Sequence, residues 1–489
     1  MAEQVNLSAE HKDDWALFLP AVSSFFIAGL GRQRKGMDYF PEERIPAGLN
    51  GDVECLNFLN SKQGLYNYKW GLYSAGHADL DITSDNPNES IIREREEGTF
   101  MLGDSGGFQI MKGQWPADWK DPNCPKAMKQ RKKVLSWMDE YMDYGMCLDI
   151  PSMILMKTDL VDKHGITTIE ECKIATHINN DYFIHHRSGA CKFLNVLQGQ
   201  THTQSDEWYE EFKMYADPAV YPDNHFNGWA FGGQNKIDIH LMLRRIVFLI
   251  HDGLLGEGKH DLLHCLGTSI LEYAVLFTDI QKAVRKYHNP NFMITFDCAS
   301  PFFGAAKGLA YNNSTFEFSD AVLAEGIHEK FSDSPITEAL VLKDLCYRGH
   351  GFLGQHGKET KTSWDTLSYT LLQAHNVYQH MFSVQEANRQ YEAGVIPAML
   401  MNETFERVTF SDLVDEIFSL QDKQKSLDLI DQHSKFWMQI KAGSSGYSGK
   451  RAVNANTMFD ELFSVTAEPE INTNEELEDS DELMQTIDE

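Results

Sequence analysis

An α/β chain built on parallel strands, most simply a (β/α)8 barrel of TIM type, is the fold this sequence predicts, and three observations predict it. Short apolar runs of strand character recur along the chain, each ending in Gly or a polar residue. Amphipathic helical stretches fill the intervals between them. The polar residues that close the runs stand 31 to 49 residues apart, the length of one strand, one helix and two loops.

The runs, in order, are GTFMLGDSGGF, YGMCLDIP, FLNVLQGQ, NGWAFGGQ, LLHCLGTS and FMITFDCASP, with Asp104, Asp149, Gln198, Ala230, Leu266 and Asp297 marking strand ends. Between the last two, SILEYAVLFTDIQKAVRKY places Ile270, Tyr273, Ala274, Phe277, Ile280 and Val284 at helical spacing and predicts a helix with one apolar face. A doubly wound open sheet would alternate in the same way, but no G-x-G-x-x-G follows a first strand. The barrel is expected over residues 1–385, with a metal-type subdomain inserted or appended near 340–385. Beyond 385, VTFSDLVDEIFSLQDK and SKFWMQI predict a helical C-terminal extension over 386–466, in which KAGSSGYSGKR is a Gly/Ser connector flanked by Lys441, Lys450 and Arg451. Residues 467–489 are an acidic tail expected to be disordered.

With 489 residues, 42% of them hydrophobic, the chain can bury a large core. The start, MAEQVNLSAEHKDDW, is polar, and no apolar run approaches the roughly 20 residues of a bilayer span, so a cytoplasmic protein with no membrane partner is expected. Eight cysteines with no CxxC pair predict reduced thiols. The formal charge is -29; the stretch from Glu468 to Glu489 holds ten acids and no Lys or Arg, so residues 1–467 still carry -19. That balance excludes a protein that coats nucleic acid nonspecifically, and any nucleic acid must meet a local basic patch. Two runs could supply one: GRQRKG, with Arg32, Arg34 and Lys35, and KAMKQRKK, with Lys126, Lys129, Arg131, Lys132 and Lys133. Either could equally be a solvated helix face.

The most specific segment is Asp104-Ser105-Gly106-Gly107-Phe108-Gln109. A carboxylate at a strand end, two glycines that let backbone approach a flat ligand, and an aromatic ring to stack on it form a coherent set for binding such a ligand, although a tight turn would use the same residues. DSGGFQ resembles the signature of the tRNA-guanine transglycosylase family. Four more segments resemble that family in the same order: Cys147-Leu148-Asp149, Val196-Leu197-Gln198-Gly199, Gly228-Trp229-Ala230-Phe231-Gly232 and Phe296-Asp297-Cys298-Ala299-Ser300-Pro301. Leu266-Gly267 stands where the family has Met-Gly. The resemblance runs over roughly residues 95–380 and implies a (β/α)8 barrel with a zinc subdomain.

It also implies roles. Asp297 is the nucleophile and Asp104 the general base; Asp149 and Gln198 bind the guanine edge. Ser105, Gly106, Gly107, Phe108, Gln109, Gly228, Trp229, Ala230 and Leu266 line the base pocket, with Phe108 stacking and the Gly228 to Ala230 backbone meeting the base carbonyl. A loop-capping role is the plainer reading of Asp149. The family's C-x-C-x-x-C is absent here. Cys346, His350 and His375, with His356 or Asp344 as fourth ligand, could still form a mixed structural Zn2+ set, while His375 on a face with Leu371, Tyr378 and Phe382 reads equally as a core histidine.

The reworked zinc region, the long C-terminal part and the N-terminal segment from Leu17 to Ser23 followed by Gly29-Leu30-Gly31-Arg32 resemble the family's divergent branch, which places 7-deazaguanines in DNA in phages and bacterial modification clusters. The implied partners are DNA and a 7-deazaguanine base of the preQ0 or preQ1 type, with a second copy of the chain and a DNA-opening helper as further candidates. A tRNA transglycosylase of the queuosine or archaeosine type would use the same aspartates. A non-catalytic subunit of the same fold could dispense with them.

Overall fold

The computed structural model of the protein describes residues 4–37, 39–268, 270–306, 308–312, 317–323, 326–327, 334–340, 344–345, 364–402 and 408–444. Eight parallel strands form its centre: β1 (Leu17–Pro20), β2 (Trp70–Ser74), β3 (Phe100–Asp104), β4 (Tyr144–Met146), β5 (Lys192–Leu197), β6 (Gly228–Phe231), β7 (Leu262–Cys265) and β8 (Met293–Cys298). Each pairs with its neighbour in sequence, and β8 returns to β1, where Asp297 stands opposite Leu19. Only the β1–β2 seam is loose. There a single bridge, Ala21 to Leu72, brings the ends together, and the Val22 N–H donates to the Leu72 carbonyl at 2.9 Å. The result is a nearly closed barrel of TIM type, as the strand and helix pitch predicts.

A helix follows every strand: α1 (Ser24–Arg34), α2 (Ser90–Arg93), α3 (Pro125–Tyr141), α4 (Ile169–His186), α5 (His202–Phe212), α6 (Ile239–His251), α7 (Leu271–Tyr287) and α8 (Thr366–Glu392). Local chemistry sets their starts. Thr168 and Glu171 form a capping box on α4, and the Asp238 side chain accepts from the Leu241 N–H at the head of α6. In α7 the anticipated face is the buried one: Tyr273, Ala274, Phe277, Ile280 and Val284 lie in the core, while Ile270 is the residue before the first turn.

The expected boundary at residue 385 falls inside α8. That helix runs on because no breaker occurs before Gly394, whose φ of 92° turns the chain away. Three helices follow, α9 (Phe410–Ser419), α10 (Lys423–Gln432) and α11 (Ser434–Ser444). They dock on the outer ring: Tyr287 of α7 donates to Asp415 of α9 at 2.9 Å, and His240 of α6 meets Asp431 of α10 at 2.7 Å. The first four residues of the expected Gly/Ser connector, 441–444, are the last of α11 rather than a loop, and residues 445–489, with the rest of the connector and the acidic tail, lie outside the described residues. Among the described residues no helix is long and apolar enough to cross a membrane, and every described cysteine is a free thiol.

Candidate active site

Side chains alternate along a strand, so residues two apart share the inside of the barrel. The inward set at the carboxyl ends includes Ser74, Asp104, Gln198, His264, Thr295 and Asp297, joined across the strands by hydrogen bonds. Ser74, the register partner of Asp104, takes the Gly76 N–H at 3.1 Å and therefore gives its own proton to Asp104 Oδ2 at 2.6 Å. Burial pushes the Asp104 carboxyl above its ordinary range and the nearby Asp297 charge adds to this, while the bonds from Ser74 and the Gly106 N–H oppose it.

The DSGGFQ turn explains its two glycines. Gly106 sits at φ 82° with the Trp115 ring where a Cβ would be, and a Cβ on Gly107 would lie 2.8 Å from the Asp149 carbonyl oxygen. A side chain at Gly106 would displace the Trp115 ring, and one at Gly107 would push this turn away from the loop after β4. The next residue, Phe108, leaves its ring 39% exposed, unusual for so large an apolar group, with the Lys112 ammonium 5.2 Å from the ring centre. Ser105 and Gln109 are buried, Gln109 against Gly76.

Asp149 is held from behind. Its loop is tied to α4 by the Ile150 N–H donating to Thr176 at 2.9 Å and by Asn179 donating to the Leu148 carbonyl at 2.8 Å. Gln198 donates to Asp149 Oδ2 at 2.7 Å, pre-assembling the pair expected to read a base edge. Burial pushes the Asp149 carboxyl up to about 7, with the Asp104 charge adding and the Gln198 bond opposing. A carboxyl that only capped its loop would accept local N–H groups, whereas this one turns to a side chain on the neighbouring strand.

On the opposite wall, Asp297 is 9% exposed and its Oδ1 accepts from the Gly267 N–H at 2.6 Å and from His264 Nε2 at 3.1 Å. His264 is fully buried, and its Nδ1 meets Thr295 Oγ1 at 2.9 Å. Lys236 approaches the same corner, its ammonium pushed below its usual range by burial and opposed by the Asp297 charge. Leu266, beside Gly267, donates its N–H to the Phe231 carbonyl at 3.2 Å.

Gly228 and Trp229 do not reach this site. Strand β6 begins at Gly228, on the barrel floor, and the Trp229 indole turns outward to the Leu254 carbonyl at 2.8 Å; Ala230 faces inward at the level of His264, below the carboxylates. The glycines at the strand's carboxyl end are Gly232 and Gly233: a Cβ on Gly232 would lie 2.6 Å from Gln198 Nε2. The segment GWAFGG has glycines at both ends, and only the strand boundary tells which pair meets the pocket. Ser74 and His264 also escape a reading of the sequence alone. His264 lies in plain view within LLHCLGTS; its inward direction follows from being two residues before Leu266.

Of the expected zinc ligands, Cys346, His350 and His356 lie outside the described residues. Asp344 lends its backbone carbonyl to Arg44 at 3.1 Å. The buried His375 engages both ring nitrogens, Nδ1 with Ser334 Oγ at 2.8 Å and Nε2 with the Tyr311 carbonyl at 3.1 Å, so a metal at either would have to displace a hydrogen bond. Burial pushes its imidazole down to about 4. Among the described residues no group of three or more His, Cys, Asp or Glu could hold a metal ion. Through these two bonds His375 ties α8 to the chain after β8.

The two basic runs separate. Arg32 is buried and donates to Asn88 at 2.6 Å, Arg34 pairs with Glu54, and Lys35 pairs with Glu94 at 2.5 Å. All three cations of the first run are thus engaged, Arg32 and Arg34 by partly buried partners and Lys35 in a surface ion pair. In the second, Arg131 is buried against backbone carbonyls, while Lys126, Lys129, Lys132 and Lys133 are exposed on one face of α3 with no ion pair among the described residues. Helix α3 follows β3, so it starts on the face where Asp104 lies.

Compared with known proteins, the chain matches no family model and no curated protein.

Proposed function

We propose that the protein is a pentosyltransferase, a transglycosylase that exchanges guanine in DNA for a 7-deazaguanine base of the preQ0 or preQ1 type. The observation that carries this reading is the placement of Asp104 and Asp297 at the carboxyl ends of β3 and β8, both on the inside of the barrel and each held by donors of its own wall. The base-edge pair Asp149 and Gln198 and the exposed Phe108 ring stand beside them.

Exchange of a base at the same sugar carbon with retained stereochemistry requires two displacements. Asp297 attacks the anomeric carbon, the glycosidic bond breaks with its electron pair passing to guanine, and an aspartyl-sugar ester remains. The incoming base gives its N9 proton to Asp104 and attacks the same carbon, returning the electron pair to Asp297. Asp104 suits this task because its raised proton affinity makes it a better base than an ordinary aspartate. In its ionised form Asp149 accepts the N–H groups of the guanine edge, Gln198 extends the pattern, and Phe108 covers the ring. The target nucleotide has to be flipped out or presented single-stranded to reach so recessed a site. DNA rather than tRNA is favoured by the resemblance of the N-terminal and zinc-region segments to the DNA-modifying branch.

The test is to express the protein in cells supplied with a 7-deazaguanine, digest DNA and tRNA separately, and quantify modified nucleosides by mass spectrometry beside Asp297→Ala. A modified deoxynucleoside that vanishes in the variant is the expected result. Modification confined to tRNA would transfer the reading to that substrate, and none in either pool would overturn it.

A further inference from the structure

We propose that His264, together with the Gly267 N–H, selects which oxygen of Asp297 reacts and drives the second displacement; the proposal rests on the transglycosylase reading. A carboxylate oxygen only accepts, so the Nε2 that lies 3.1 Å from Asp297 Oδ1 carries a proton, and Nδ1 can take the Thr295 hydroxyl proton at 2.9 Å. Thr295 is fully buried on the same strand as Asp297, two residues away, so the strand that carries the nucleophile also aims the imidazole at it. With the Gly267 N–H at 2.6 Å, Oδ1 accepts two hydrogen bonds, whereas among the described residues no donor is bonded to Oδ2, which is left as the oxygen to attack.

The consequence is chemical. When Oδ2 forms the C–O bond to the sugar, Oδ1 becomes the ester carbonyl oxygen, still facing two N–H groups. In the second displacement the base nitrogen bonds the anomeric carbon, the C–O bond breaks, and its electron pair spreads back over the Asp297 carboxylate. Donors already in place on Oδ1 stabilise that returning charge, and so favour the transition state of ester breakdown over the ester itself. The charged groups around the pair are Asp104, which senses both His264 and Asp297, and Lys236. His264 is therefore a positioning residue that acts through Asp297 rather than on the substrate.

The experiment is single-turnover exchange on a guanine oligonucleotide, with the covalent adduct and the free product followed separately by denaturing gel and intact mass. His264→Phe keeps the ring volume and removes the donor; the adduct should still form but break down on the order of 10²–10³-fold more slowly and so accumulate. His264→Gln, which restores an N–H near Nε2, should recover most of the lost breakdown rate. Equal slowing of both steps with no rescue by Gln would reduce His264 to a packing residue and overturn the proposal. Should His264→Phe fail to fold, ¹⁵N-histidine NMR of the intact enzyme supplies the test: a retained Nε2–H resonance that shifts in Asp297→Asn supports the bond, and an unprotonated Nε2 overturns it. No adduct with wild-type enzyme would instead overturn the transglycosylase reading itself.

Discussion

The two walls of the pocket carry the same residue type and treat it differently. On the β3–β4 wall, Asp104 accepts from the Ser74 hydroxyl and Asp149 from Gln198, yet burial and a neighbouring carboxylate charge, that of Asp297 on Asp104 and that of Asp104 on Asp149, make both take up protons more readily than ordinary aspartates. On the β7–β8 wall, Asp297 has two N–H groups on one oxygen and a lysine nearby. The placing of donors and charges around each carboxyl, rather than the side chain itself, is what fits the proposed roles: proton acceptor and base reader on one side, oriented nucleophile on the other.

The sharpest way to break that contrast is to neutralise the first wall. Asp104→Asn should lower kcat/KM for exchange by roughly 10²–10⁴-fold while the Asp297 adduct can still be trapped. Loss of the adduct in step with turnover would give Asp104 a part in both displacements and blur the two walls.

Asp149 offers a contrast in pH. Its folded carboxyl titrates at about 7 against 3.8 for an ordinary aspartate, so the native state holds a proton that the unfolded chain has released. The contribution of this carboxyl to stability is accordingly largest below about pH 4 and is lost as pH rises to about 7, roughly 4 kcal/mol over the whole interval. Denaturant unfolding between pH 4 and 8 should show it as a difference: the stability of Asp149→Asn relative to the wild type should rise over that interval, while groups common to both, such as His375, cancel. Guanine binding, which needs the ionised carboxylate, should strengthen over the same rise, opposite to that contribution.

A smaller effect separates stacking from folding. Phe108→Ala should weaken binding of 7-deazaguanine by about 1–3 kcal/mol in calorimetry. Its melting temperature should fall less than after truncation of a core phenylalanine such as Phe296, because Phe108 is 39% exposed and Phe296 fully buried.

The smallest effect compares the two basic runs. Replacing Lys126, Lys129, Lys132 and Lys133 by Gln should reduce the salt dependence of nucleic-acid binding by about 0.9 in log–log slope for each phosphate that is no longer neutralised. Arg34→Gln should leave that slope unchanged and instead cost about 1–3 kcal/mol of stability by leaving the buried Glu54 with only the Asn57 and Asn60 amides as partners. A slope that responds to Arg34 and not to the lysines would reverse the assignment.

Much of this protein is legible one segment at a time. The alternation of apolar runs with amphipathic helices, the glycine turn after Asp104 and the apolar face of α7 are written within a few neighbouring residues, where steric limits and side-chain periodicity act without help from the rest of the chain. Closure of the barrel decided what those segments could not. It chose Gly232 and Gly233 over Gly228, turned Trp229 outward, and brought Ser74 to Asp104 and His264 to Asp297. These pairings join residues some 30 positions apart through the stagger of adjacent strands, and that stagger is a property of the closed sheet rather than of any stretch of sequence.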